Sequence, residues 1–510
     1  MNNFVRNLCW VLFSILLSLG NSGCSESTEG NGSSTGKPKV LLSPSEVYFG
    51  HIPGGQSAER TFRIYNSSDQ ILRISDISIG GANAGLFSFS SSELPDTITA
   101  YTGVNLNVLF KPLTTGDFSG TVSVVSNAET SPDILDFSGK GSSSASGAIY
   151  FERIFRGNAE SVGLTVNNGY ILAGSTTDTL TEDRVGALSR MDEYGNEIWI
   201  RGYPGIKTAA LNDLAPTDDG GYIAVGTTGS SLTSKQYIYI VKTSQDGDTE
   251  WEIKDFTLGS SDEIAEAVVQ TTDGGFIVAG STQNTGATGG LRDALLVKID
   301  AGGNVSWSQR YGSSEGEYAT SVVETDDQGF VFTGYQTVGQ SFDLYMVRTG
   351  PDGTLKWEKR FGGADRDRGN SVIRAEQGDF IAAGYTLSAG AGGQDIYVVK
   401  TDSAGNLKWS QTYGSGFNDE GFSIIRTNDQ GYLIAGVTEG FGQLQDVYLV
   451  KTDNTGNFSW EKTWGGSGED GANCVRMVRN EGYVVAGYTG SFITGTEAYF
   501  LKVDNSGNIQ

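Results

Sequence analysis

Between residues 148 and 510, short apolar runs alternate with polar positions in a period of 50 to 56 residues. Residues 371 to 413 show the unit. Ser371 to Ala375, Phe380 to Thr386, Ile396 to Thr401 and Leu407 to Tyr413 each alternate with period two, which predicts four strands, a to d. The a-to-b turns are rich in Asp, Asn and Gly, as in Asp218-Asp219-Gly220-Gly221 and Asn167-Asn168-Gly169, and suit hairpins. The c-to-d turns repeat Asp-x-x-Gly-Asn at Asp192, Asp300, Asp402, Asp453 and Asp504. A tryptophan follows this turn at 199, 251, 307, 357, 409 and 460, where a large ring fills the wedge between radial sheets. One strand b glycine per period, at 174, 226, 280, 334, 384, 436 and 487, counts seven repeats and suggests close approach between neighbouring blades. The expectation is an all-β chain whose back two-thirds is a seven-bladed β-propeller.

After Asp504 to Asn508 the chain reaches Gln510 where the next strand d would begin, and an orphan strand d precedes the first repeat at 149–155. Pairing that strand with Ala498 to Val503 predicts a Velcro closure that leaves no exposed sheet edge.

The first 147 residues follow other patterns. Arg6, the mainly apolar Leu8 to Leu19 and then Ser22-Gly23-Cys24 read as an export signal, too short to span a bilayer. That stretch resembles a bacterial lipoprotein lipobox, which implies cleavage after residue 23 and lipidation of Cys24; Asn21 departs from the pattern and leaves secretion as the alternative. Residues 24–38 carry no apolar residue to pack beyond Cys24 and predict a flexible tether. From 39 to 141, runs at Val47 to Phe49, Thr61 to Tyr65, Ile71 to Ile79, Val104 to Phe110, Gly120 to Val125 and Ile134 to Phe137 predict an immunoglobulin-like β-sandwich. Ser43-Pro44, Val47 to Gly50, Val108 to Pro112, Thr115 to Gly120 and Phe137 to Gly141 resemble the bacterial ASPM-SPD2-Hydin or choice-of-anchor domain, which implies a spacer or interaction module. A Gly/Ser hinge at 142–147 leads into the repeats.

Composition narrows the function. The formal net charge of -25 opposes nucleic acid and anionic lipid, so the membrane is reached only through the lipid anchor. Loss of Cys9 and acylation of Cys24 would leave Cys474 alone, with no internal disulfide, and a monomer is expected. His51 is the chain's one histidine and reads as a loop residue.

Two acidic sets recur on the side of the long b-to-c and d-to-a loops. Glu263, Glu317, Asp367, Asp419 and Asp470 stand four residues before strand a; Asp293, Asp343, Asp395 and Asp446, with Glu497, open strand c. They predict an acidic face that draws cations or a basic partner, against the plainer reading that they hydrogen-bond loop backbone. A basic residue recurs near the end of strand c, from Arg190 and Lys242 to Lys502, on the opposite side. The Asp-x-x-Gly-Asn turns offer one or two carboxylates where calcium takes roughly six to eight oxygens, so calcium is weakly supported and no cofactor is predicted.

Gly274 to Thr282 and Asp395 to Asp402 resemble propeller repeats of secreted and surface bacterial proteins, a resemblance that implies fold but no ligand. Lys-Thr-Asp-x-x-Gly-Asn-x-x-Trp is also similar to the tryptophan-docking repeat of quinoprotein dehydrogenases, which implies a quinone and calcium pocket, usually on eight blades. The repeats hold no histidine and no Gly-x-Ser-x-Gly elbow, while carboxylate pairs keep a glycan hydrolase or lyase open. The sequence therefore predicts an exported lipoprotein, at the outer membrane or cell surface, whose propeller binds a protein or glycan. A propeller enzyme is the alternative.

Overall fold

The computed structural model describes residues 37–509 except 44–45, 54, 56, 91–94, 101, 143–150, 156, 178–182, 207, 230–234, 259–261, 284–290, 441–443, 479–480 and 492–496. The signal segment, Cys24, nearly all of the tether and most of the hinge lie outside the described residues. Among those described, the chain is all-β, with single 3-10 turns at Ala84–Leu86 and Glu376–Gly378 as its helical pieces.

Residues 40–142 form two sheets. Val40–Ser43, Ala58–Asn66, Gly103–Phe110 and Phe87–Phe89 make one; Glu46–Pro53, Asp133–Ser142, Gly116–Ser126, Leu72–Gly80 and Thr97–Ile98 make the other. Inward residues of both supply one core, in which Phe49, Phe62, Phe87, Phe110 and Phe137 are buried and meet ring to ring. Burial of such rings is worth about 1.5–3 kcal/mol each.

The remaining described strands make four-stranded antiparallel sheets in a propeller-type arrangement. They span 158–203, 208–256, 263–311, 317–361, 367–413 and 419–464, and a last one joins 470–503 to Phe151–Phe155. Strand a of each sheet packs against strand a of the next, and Asp470–Val478 packs against Asn158–Leu164. The strand at 151–155 pairs antiparallel with Glu497–Val503, from Phe151 opposite Lys502 to Phe155 opposite Ala498. Strands b and c are buried along nearly their whole length, as in Phe380–Thr386, because sheets cover both of their faces.

The period-defining residues meet at the seams between sheets. A methyl placed on Gly247 would lie 2.7 Å from the Trp199 ring, and Gly303, Gly353, Gly405, Gly456 and Gly507 face Trp251, Trp307, Trp357, Trp409 and Trp460 in the same way. The tryptophan of one sheet thus lies under the c-to-d turn of the next, and a glycine at φ +74 to +87 is what that turn tolerates. Tyr203, Tyr311 and Tyr413 add a hydroxyl bond to the carbonyl of the same turn glycine, at 2.7, 2.7 and 2.5 Å.

The strand b glycine has a different reason from the one expected. Every strand a of these sheets carries a β-bulge, as at Gly369/Ser371, and the carbonyl two residues before the bulged residue turns onto the partner strand. A methyl on Gly384 would sit 1.8 Å from the Arg368 oxygen, and one on Gly226, Gly334 or Gly487 would collide equally with its own strand a. The close approach is within a sheet. The bulged residues do link neighbouring sheets: Asn212 donates to the Ala265 carbonyl (2.8 Å), Asn370 to that of Gly421 (2.8 Å) and Asn473 to that of Ala159 (3.0 Å).

Candidate functional site

The predicted acidic residues are brought together, but inside the seams. Glu263, Glu317, Asp367, Asp419 and Asp470 are each 0% exposed. Strand a begins at the acid itself, four residues earlier than the alternation suggested, because these carboxylates replace apolar side chains as the strand's first anchors. Each holds the d-to-a loop. Gly363, Ser415 and Gly466 donate backbone N–H groups to Asp367, Asp419 and Asp470 at 2.8, 2.6 and 3.0 Å. Ser313 does the same for Glu317 (3.2 Å) and Leu258 for Glu263 (3.1 Å). Hydroxyls of Thr282, Ser313, Thr386, Ser388 and Ser491 add further donors. Buried at 0% exposure, these five acids shape the loops around them, where the sequence suggests an acidic face.

The second set lies beside the first. Asp293 and Asp395 are buried, whereas Asp343 and Asp446 are half-buried. A methyl on Gly414 would lie 2.6 Å from Asp419 Oδ2 and 2.9 Å from Asp395 Oδ1; one on Gly465 would lie 2.0 Å from Asp446 Oδ1 and 2.8 Å from Asp470 Oδ2. One small space therefore serves two carboxylates, one from strand c of a sheet and one from strand a of the next. Burial, then the neighbouring Asp419 and Asp470 charges, raise the carboxyls of Asp395 and Asp446 above their ordinary value. Burial and Asp367 raise Asp343 likewise, with Arg360 opposing. Asp419 Oδ1 and Asp470 Oδ1 are buried without a hydrogen-bond partner among the described residues. Two carboxylates fall well short of calcium's oxygen shell, and among the described residues no group of three or more His, Cys, Asp or Glu is placed to hold a metal.

The acidic turns and the basic residues are also spent internally. Asp300, Asp402, Asp453 and Asp504 accept N–H groups of their own turns at 2.8–2.9 Å. Lys242, Lys298, Lys451 and Lys502 bury their stems and pair with Asp219, Asp273, Asp429 and Glu481 of the a-to-b turns at 2.7–2.9 Å. Desolvation is outweighed there by the lysine and threonine hydrogen bonds, which hold Asp219 and Asp273 at about 2.

One member of the acidic sets, Asp446, reaches an open cleft. Its volume is about 490 Å³, and Glu152, Asp446, Thr463, Trp464, Gly465, Gly466 and Tyr499 line it. Strand d of the sheet at 419–464 supplies Trp464, and the last sheet supplies Glu152 and Tyr499 across the seam. Tyr499 is buried and donates its hydroxyl to Glu152, whose burial-shifted partner it is. Trp464 occupies the place of Tyr203, Tyr311 and Tyr413, puts an indole where they bring a phenol, and is half-buried at the rim. Sequence reasoning passed over Trp464 and Glu152. The available signal was a tryptophan four residues after Trp460, out of step with the period.

No protein-family model matches this chain, and no curated protein matches its sequence. Solved structures do match. Puromycin hydrolase, as its S511A mutant complexed with PGG, is 13% identical, covers 69% of this chain and 53% of its own, and has a TM-score of 0.46. The periplasmic gluconolactonase of Pseudomonas aeruginosa is 10% identical over 67% of this chain and 91% of its own, with a TM-score of 0.40. An ASH/PapD-like domain of human CEP192 is 15% identical over 24% of this chain and 99% of its own, with a TM-score of 0.18. No residue role is carried over from them.

Proposed function

We propose that the chain is an exported, surface-anchored binding protein in which an immunoglobulin-like sandwich (39–141) carries a seven-bladed β-propeller closed by the strand at 151–155. Its ligand is a glycan, bound in the cleft at Trp464. The observation that supports this reading is an indole rim beside two carboxylates, Asp446 and Glu152, in an open cleft on the long-loop side. The apolar face of a sugar ring stacks on an indole, and its hydroxyls donate to carboxylate oxygens. Lipidation at Cys24 and a location at the outer membrane or cell surface complete the proposal.

A second reading draws on the same cleft. Two carboxylates, one of them raised by burial and by Asp470, are the minimal equipment of a glycoside hydrolase. A glycan array with the full chain tests both. Trp464→Ala should weaken binding of any retained glycan at least tenfold while the melting temperature stays within a few degrees. Equal retention by the variant would sink the cleft assignment, and release of shortened products from a retained glycan would favour the hydrolase.

A further inference from the structure

A second cluster on the same side of the ring, in the sheets at 317–361 and 367–413, has the chemistry of an anion site. Tyr318 and Tyr335, paired across their sheet, stack at 4.3 Å with 11° between the rings. Tyr335 meets Phe342 at 5.1 Å, and Phe342 meets Tyr385 edge-on at 6.4 Å. Two guanidiniums lie on this platform: Arg368 over Tyr335 at 4.9 Å and Arg366 over Phe342 at 5.8 Å. Neither forms an ion pair with a described residue, and Arg368 Nε is shielded from solvent without an acceptor. The acids that open the same two strands, Glu317 and Asp367, are occupied by Ser313, Gln336, Gly363 and Ser388.

The cluster sits beside a b-to-c connection built as a tight hairpin. Where the other b-to-c connections run through 178–183, 230–235, 284–291, 387–394, 439–445 and 490–496, strands Phe330–Val338 and Ser341–Thr349 are joined by Gly339 and Gln340 alone. Tyr335, Phe342 and Arg368 are half-exposed beside an exposed Arg366. In a chain with 60 acidic and 35 basic residues, two arginines left unmatched on aromatic faces mark a place for an external anion.

We infer that this platform binds the carboxylate of an acidic saccharide, a uronate unit, with the guanidiniums gripping the carboxylate and the rings packing the sugar's C–H face. Planar N–H forks match a carboxylate two bonds at a time, and arginines already stacked on rings lose little freedom on binding. The net charge of -25 opposes any polyanion at a distance, but at physiological salt screening acts within about 8 Å, so the local pair decides. The ligand class rests on the glycan reading above, while the site stands on its own residues.

Calorimetric titration of the full chain with tetragalacturonate and with its carboxyl-reduced, neutral counterpart separates the two. The acidic form should bind at least tenfold more tightly. Arg366→Ala and Arg368→Lys should each erase most of that preference, and Trp464→Ala should leave it intact. Arg366 is exposed, so its variant keeps the test open if substitution at Arg368 disturbs folding. Equal binding of both oligomers, or a preference that survives the arginine variants, would overturn this site and leave the Trp464 cleft standing. Binding of neither would overturn the platform alone, because the glycan array decides the Trp464 cleft. Displacement by hexaglutamate as effective as by the uronate would reassign the platform to acidic peptide.

Discussion

Asp343, Asp395 and Asp446 each lie beside a second aspartate at a seam, and pH is the variable that exposes the effect. Asp343, Asp395 and Asp446 have carboxyls raised above the ordinary 3.8, so over the window from 3.8 up to their folded values the native state holds protons that the unfolded chain has released. Stability from these groups is therefore greatest at low pH and declines as pH rises through that window. Asp219 and Asp273, held at about 2, act in the opposite sense and cost stability only as pH falls from 3.8 toward 2. Thermal melts between pH 4 and 7 should show a falling melting temperature in the native protein and a flatter profile in the Asp395→Asn/Asp446→Asn double variant. An unchanged slope would mean that burial does not raise the carboxyls of Asp395 and Asp446. Recurrence in the sequence marked these residues as special, and residue type marked them as acidic. Burial could not be read, because an acid beside a turn looks the same whether it faces water or two or three protein donors.

The elements were largely legible. The four strands expected within 371–413 appear at Asp367–Arg374, Phe380–Thr386, Asp395–Thr401 and Leu407–Tyr413, with the first extended by its buried aspartate. Period-two alternation and Asp-Gly turns are local signals, so they survive without any knowledge of neighbours. The bulge in strand a has no such signal; it is visible in the sequence only as the glycine opposite it on strand b. Closure is the element-scale feature with the clearest energetic consequence. Removing residues 151–155 would strip five paired positions from Glu497–Val503 and leave a bare edge. The truncated chain should melt at least several degrees lower and aggregate more readily, and a melting temperature equal to that of the intact protein would refute the closure.

At the scale of the molecule, the sandwich at 40–142 and the ring of sheets have their own cores, with Tyr194 of a c-to-d turn packed against that of the sandwich. Phe49, Phe110 and Phe137 belong to one cluster, while seam clusters such as that of Ile277, Phe332 and Tyr345 belong to the others. Each seam core is shared by two neighbouring sheets, so loss of one sheet exposes the faces of both neighbours and the ring should unfold together. Scanning calorimetry should accordingly resolve two transitions, one for the sandwich and one broader in enthalpy for the ring. A single transition would require coupling between the two cores.

Repetition is written in one dimension, and the strands, turns and seam tryptophans could be read from it because each depends on contacts within one period or between adjacent ones. The placement of charge belongs to three dimensions. Carboxylates from strand c of one sheet and strand a of the next converge around Gly414 or Gly465 only after the ring is assembled, and assembly buries them. The same closure leaves Trp464 on a cleft, and neighbouring sheets bring Arg366 and Arg368 onto the rings of Phe342 and Tyr335. Those sites arise where the repeat is broken, and what a break exposes depends on which neighbours surround it.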